Sequence, residues 1–171
     1  MKKVYLIGYM GCGKSAIGKR LSFATKIPYY DMDCEIVKKM GMTIPEIFEK
    51  YGEEYFREVE TEFLRTFRDE FCIIATGGGA PMRKENREIM RRTGIVFFLN
   101  APFRDIWRRI ATAKKRPIVQ RSTRVDLEQL YNERKPQYLQ GGHFKVETEN
   151  RSLRDIVDYI SFQIRRLKGD L

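Results

Sequence analysis

Val4-Tyr5-Leu6-Ile7-Gly8-Tyr9-Met10-Gly11-Cys12-Gly13-Lys14-Ser15 carries an apolar run straight into the spacing G-x-x-x-x-G-K-S. The run reads as a strand and Ser15–Lys26 as a helix, so the glycine-rich turn between them predicts a phosphate-binding loop. Glycines allow several backbone N–H groups to turn inward on phosphates. Lys14 reaches the β/γ-phosphates, the Ser15 hydroxyl suits Mg²⁺, and the helix N-terminus adds its dipole. A plain strand-to-helix turn needs neither the Lys-Ser pair nor four residues between the outer glycines. Cys12 leaves two readings open: a thiol activated near a helix N-terminus, or an inert small residue that fills the turn.

Outward from this loop, short apolar runs alternate with longer segments at helical spacing, as in βα units around a parallel sheet. Strands are predicted at Lys3–Ile7, Tyr29–Asp31, Cys72–Ala75, Ile95–Leu99 and Phe144–Glu147. The clearest helix is the last, where Leu153, Ile156, Val157, Ile160, Ile164 and Leu167 share one face. Phe103, Ile106, Trp107 and Ile110 repeat that spacing behind Pro102, which fits a first helical turn, and they read as core. With 171 residues, 42% of them hydrophobic, the chain is expected to form a single α/β domain over residues 1–171.

No signal peptide or membrane anchor is expected, because no run approaches the ~18 apolar residues of a membrane span. Three widely spaced cysteines and a single histidine suggest neither a disulfide framework nor a zinc site, so a cytoplasmic location is expected. The net charge is +10, and its distribution is uneven: residues 1–80 hold 12 basic and 12 acidic residues, residues 81–171 hold 21 and 11. Ten of the basic residues lie between Arg104 and Lys135, where they suit a funnel around a polyanion such as ATP. A nucleic-acid-binding module is the competing reading of that charge, but the aromatics there sit at core spacing and no stacking motif is visible.

Five further stretches carry chemistry. Asp31-Met32-Asp33 follows the second strand, which places both carboxylates at the carboxyl edge of the sheet, where ligands bind in open α/β folds. They could hold an alcohol or position hydrated Mg²⁺, or Asp33 could cap the helix Cys34–Met40. Phe56-Arg57-Glu58-Val59-Glu60 lies in an acidic, helix-prone segment, Glu53–Glu70. Arg57 there is either an intrahelical ion-pair partner or a bidentate clamp on a substrate carboxylate, oriented by Glu60 one turn on. Gly77-Gly78-Gly79 follows the third strand, and three consecutive glycines fit close approach of a ligand to bare backbone. Arg116-Pro117 stands in a polar connection between two helices, where an arginine could close over the γ-phosphate as part of a lid. Tyr131–Tyr138 supplies Arg134, and Pro136 is expected to end or kink its helix, leaving Arg134 near the carboxyl end.

Taken in order, G-x-x-G-x-G-K-S at Gly8–Ser15, D-x-D at Asp31–Asp33, F-R-x-x-E at Phe56–Glu60, G-G-G at Gly77–Gly79, R-P at Arg116–Pro117 and R-x-P-x-Y at Arg134–Tyr138 resemble the motifs of the shikimate kinases. The resemblance runs nearly end to end. It implies a three-layer α/β/α P-loop kinase of the nucleoside-monophosphate-kinase-like fold, with a five-stranded parallel sheet in the order 2-3-1-4-5 and a lid over residues 111–124. It implies transfer of the γ-phosphoryl of Mg·ATP to the 3-hydroxyl of shikimate, by a cytoplasmic monomer. By position, Gly11, Cys12, Gly13, Lys14, Ser15 and Ala16 are implied to wrap the phosphates, with Ser15 on Mg²⁺ and Asp31 reaching it through water. Asp33 is implied to hold the substrate hydroxyls and serve as base. Arg57 and Arg134 are implied to clamp the carboxylate, with Gly77, Gly78 and Gly79 against the substrate. Arg116 is implied to touch the phosphates and Arg109 to stack on adenine. The small segment Thr148-Glu149-Asn150-Arg151 falls on the adenine side. A gluconate or nucleoside-monophosphate kinase of the same fold remains open, since nucleotide phosphates also accept paired arginines.

Overall fold

A computed structural model describes residues 3–111 and 122–169. Five strands, β1 (Lys3–Ile7), β2 (Tyr29–Asp31), β3 (Ile73–Ala75), β4 (Gly94–Asn100) and β5 (Phe144–Glu147), form one sheet in the order β2-β3-β1-β4-β5. Every pairing is parallel, as the resemblance implies. All five residues of β1 are buried, which is why it reads as a continuous apolar run rather than an alternating one. From β1 the chain moves to one side of the sheet through β2 and β3 and then crosses to β4. The gap between β1 and β3 is therefore the switch point, beyond whose carboxyl end ligands sit in such sheets. Register aligns that edge: Asp31 lies opposite Ala75, which lies opposite Leu6.

The helices are α1 (Lys14–Thr25), α2 (Met32–Met40), α3 (Ile44–Thr66), α4 (Lys84–Thr93), α5 (Phe103–Ala111), α6 (Arg124–Gly141) and α7 (Leu153–Lys168), with a 3₁₀ turn at Ala80–Met82. They cover both faces: α1 packs on α7, while α4 packs on α3, α6 and β4. The core stripe predicted for α7 is present in Ile156, Val157, Ile160 and Ile164, with Leu153 and Leu167 more exposed at its ends. Phe103, Ile106 and Ile110 of α5 are likewise core, and the Pro102 carbonyl accepts the Ile106 N–H at 3.2 Å, so α5 starts just after the proline.

Three local expectations change. The N-cap of α2 is Asp31, whose Oδ1 accepts the Cys34 N–H at 3.3 Å; Asp33 is inside the first turn, so it does not cap the helix. The segment predicted from Glu53 begins earlier, at Ile44, behind a capping box of Thr43 and Glu46, and ends at Thr66. It is two helices joined at Gly52, which has φ 83° and ψ 166°. Pro136 does not end its helix: α6 runs through it to Gly141, and Arg134 sits within the helix. The proline removes only the N–H that would reach the Asn132 carbonyl, and both residues are on the exposed side, where water can replace that bond.

Candidate active site

Gly8, Gly11 and Gly13 have φ values of 147°, 76° and 107°, a backbone that side chains resist, so the loop needs glycine at each. Any Cβ on Gly11 would also lie 2.6 Å from the Ile110 Cγ2. Inside the turn, Lys14 Nζ donates to the Gly8 and Tyr9 carbonyls at 2.7 and 3.0 Å, and the Cys12 N–H donates to the Tyr9 carbonyl at 3.2 Å. The ammonium is thus held at the mouth of the loop, at the N-terminus of α1. Cys12 is buried, with its Sγ 3.8 Å from Lys14 Nζ.

Asp31 links the loop to α2. Its Oδ2 accepts from the Ser15 hydroxyl at 3.1 Å and from the Tyr29 hydroxyl at 3.3 Å while Oδ1 caps the helix. Tyr29 is pushed up to about 12, chiefly by burial, so it remains a donor. No cluster of three or more His, Cys, Asp or Glu side chains able to hold a metal exists among the described residues. A hydroxyl beside one carboxylate at a phosphate loop instead matches the sparse protein contribution typical of Mg²⁺, which keeps waters and phosphate oxygens.

A second cluster faces the loop from α2, α3, α6 and the turn after β3. Arg57 Nη1 donates to Glu60 Oε2 at 2.7 Å and Nη2 to Glu53 Oε1 at 2.9 Å. Arg57 is thus an intrahelical ion-pair partner on both sides, with Glu60 one turn on holding its side chain. Glu60 is fully buried, and its Oε1 has no hydrogen-bond partner. Burial pushes its carboxyl up to about 7; the Asp33 charge adds to this, and Arg57 and Arg134 oppose it. The same four groups, Asp33, Arg57, Glu60 and Arg134, hence share one field although they come from three helices.

The glycine run has a use the sequence reading did not anticipate. A Cβ on Gly77 would stand 2.7 Å from Asp33 Oδ1 and 2.9 Å from Glu60 Oε1, and one on Gly79 would stand 2.4 Å from Arg57 Nη1. None of the three has positive φ. Space for the carboxylates and the guanidinium, rather than backbone freedom, is what excludes side chains at 77 and 79. Gly78 lies between these, close to Met10 N and Gly8 O of the phosphate loop.

On the other side of the loop, Arg109 Nη1 donates to the Gly11 carbonyl at 3.1 Å. A pocket there is lined by Cys12, Gly13, Ala16, Ile17, Arg109, Thr148, Arg151, Leu153 and Ile156. Its shape brings Arg109 together with the 148–151 segment, as a nucleoside would require. Arg116, and the lid except for its ends, lie outside the described residues. Sequence reasoning named no role for Tyr29, Tyr138 or Glu53; Tyr138 and Glu53 had a signal, each lying one helical turn from an arginine of the site.

The sequence model of the shikimate kinase family matches residues 10–165. The shikimate kinase of Thioalkalivibrio sulfidiphilus is 41% identical over 169 residues, covering 98% of this chain and 89% of that protein. That of Nitrosospira multiformis is 40% identical over 163 residues, covering 94% and 84%. Among solved structures, a shikimate kinase from Acinetobacter baumannii in complex with shikimate superposes with a TM-score of 0.87 at 34% identity, covering 99% of this chain and 94% of that one. A gluconokinase from Sinorhizobium meliloti superposes with a TM-score of 0.55 at 15% identity, covering 99% and 94%, a likeness of fold alone.

Proposed function

This chain belongs to the shikimate kinase family, and we propose that it moves the γ-phosphoryl group of Mg·ATP to the 3-hydroxyl of shikimate, giving shikimate 3-phosphate and ADP. It is an ATP-dependent kinase with an alcohol acceptor. The observation that carries the choice of acceptor is the cluster of Asp33, Arg57, Glu60 and Arg134 facing the phosphate loop across Gly78. Two cations beside carboxylates suit an acceptor that is itself a hydroxy acid.

In this reading each residue has a role. Gly11–Ala16 wrap the phosphates, and Lys14 neutralises charge on the phosphoryl group as it transfers. The Ser15 hydroxyl and, through water, Asp31 would hold Mg²⁺, which would supply positive charge to offset that of the phosphates. Arg109 lies flat on the adenine beside Thr148–Arg151. Arg57 and Arg134 grip the shikimate carboxylate, and Gly77, Gly78 and Gly79 line the ring. Asp33 orients the 3-hydroxyl and accepts its proton as that oxygen bonds to the γ-phosphorus and the bond to ADP breaks. Arg116, on a lid spanning residues 111–124, closes on the phosphates and excludes water. The whole chain, residues 1–171, acts as one domain and as a monomer in the cytoplasm. No helix among the described residues is long and apolar enough to cross a membrane.

Release of ADP measured with shikimate, gluconate and nucleoside monophosphates tests this reading. Shikimate alone is expected to stimulate release; turnover with another acceptor and none with shikimate overturns the assignment.

A further inference from the structure

Tyr138 is buried in α6, its ring stacked on Phe98 of β4 with centroids 5.4 Å apart. Its hydroxyl donates to the Gly78 carbonyl at 2.7 Å, a bond between residues sixty positions apart. Arg134 lies one turn earlier in the same helix, near enough for its charge to act on the Tyr138 hydroxyl. On the far side of the contact, Gly77 backs onto Asp33 and Glu60, and Gly79 onto Arg57. One phenol thus joins the wall that carries Arg134 to the wall that carries Asp33 and Arg57.

The bond also fixes a direction. In a trans peptide the carbonyl of Gly78 and the N–H of Gly79 point to opposite sides of one plane, so drawing the carbonyl toward Tyr138 aims that N–H away from it. Burial raises the Tyr138 hydroxyl well above its ordinary range, against the lowering effect of Arg134, so it remains a donor at neutral pH.

Resting on the reading of this chain as a shikimate kinase, we propose that Tyr138 is a positioning residue for the acid acceptor. Through its hydroxyl bond to Gly78 and its place one turn after Arg134 in α6, it sets the span between the two arginines that grip the substrate carboxylate. Its hydroxyl bonds to the Gly78 carbonyl, whereas Lys14 is held by the Gly8 and Tyr9 carbonyls, so the effect of Tyr138 belongs to acceptor binding rather than to ATP.

Tyr138→Phe keeps the ring in its seat on Phe98 and deletes only the donor. Steady-state kinetics on the folded full-length chain, its fold checked by circular dichroism, are expected to show shikimate KM raised roughly three- to tenfold. ATP KM should stay within about twofold and kcat should fall less than KM rises. A purely structural tyrosine would instead lower active protein while leaving both KM values alone. An unmoved shikimate KM, or equal rises for both substrates, overturns the proposal. If the Phe variant does not fold, fluorinated tyrosine introduced at position 138, nearly isosteric but a stronger donor, must shift shikimate KM and spare ATP KM; no shift overturns it equally. Wild-type turnover is measured first: its absence with shikimate defeats the functional reading, whereas an active wild type with an unmoved variant defeats this inference alone.

Discussion

At Arg57 the two glutamates differ in kind, Glu60 being fully buried and Glu53 64% exposed. The exposed pair contributes about 0–1 kcal/mol and can give way to a substrate carboxylate. The buried one cannot, because breaking it leaves a charge without compensation. Arg57→Ala is therefore expected to raise shikimate KM at least about tenfold with ATP KM nearly unchanged, whereas Lys14→Ala depresses kcat about a hundredfold or more. Equal losses for both substrates in Arg57→Ala contradict the assignment. Glu60 makes stability depend on pH. Its carboxyl rises from 4.5 to about 7 on folding, so between those values the native chain binds more protons than the unfolded one. Stability from this group is complete below the lower value and lost as pH climbs through the upper, by up to about 3 kcal/mol. Urea unfolding should show the deficit of Glu60→Gln relative to wild type shrinking between pH 5 and pH 8; a deficit that widens argues against a raised carboxyl. The motif F-R-x-x-E was legible at this scale because its members are three residues apart on a helix. Which glutamate is buried was not, since both have the same sequence spacing to within one residue.

Among elements, α3 shows most clearly where local pattern stops. Its capping box and amphipathic run were there to be read, but the break at Gly52 depends on one glycine whose conformation only the fold demands. The break re-aims the second half, so that Arg57 and Glu60 face Gly77 and Gly79 rather than solvent. A Cβ on Gly52 would meet nothing within 4 Å, so any cost of Gly52→Ala is conformational. At φ 83° and ψ 166° that cost is about 1–3 kcal/mol. Calorimetry should find the melting temperature several degrees lower, and an unchanged value would mean that the break relaxes freely. In α6 proline chemistry predicted an end or a kink, and the helix, packed on the 3₁₀ turn and α4, does not end there. That continuity carries Arg134 and Tyr138 on one face.

For the whole molecule, the excess of positive charge in residues 81–171 lies on the half that supplies Arg109 and Arg134, as a site for two anionic substrates requires. The loop and the cluster of Asp33, Arg57, Glu60 and Arg134 sit on the same sheet edge of one chain. Gel filtration is expected to give the elution of a single 171-residue chain with or without shikimate, and a dimer peak would contradict it. Five strands, the phosphate loop and five further ordered motifs were legible in the sequence because periodicity, glycine spacing and short motifs are local properties, set within a few residues of one another. The sheet order was available only through family resemblance. The tertiary structure alone decided that Asp31 caps α2 and braces Ser15, that Gly77 and Gly79 make room for Asp33, Glu60 and Arg57, and that Tyr138 reaches Gly78. Each of these depends on which distant backbones are packed together and how much water they exclude, and neither quantity is written in the spacing of residues along the chain.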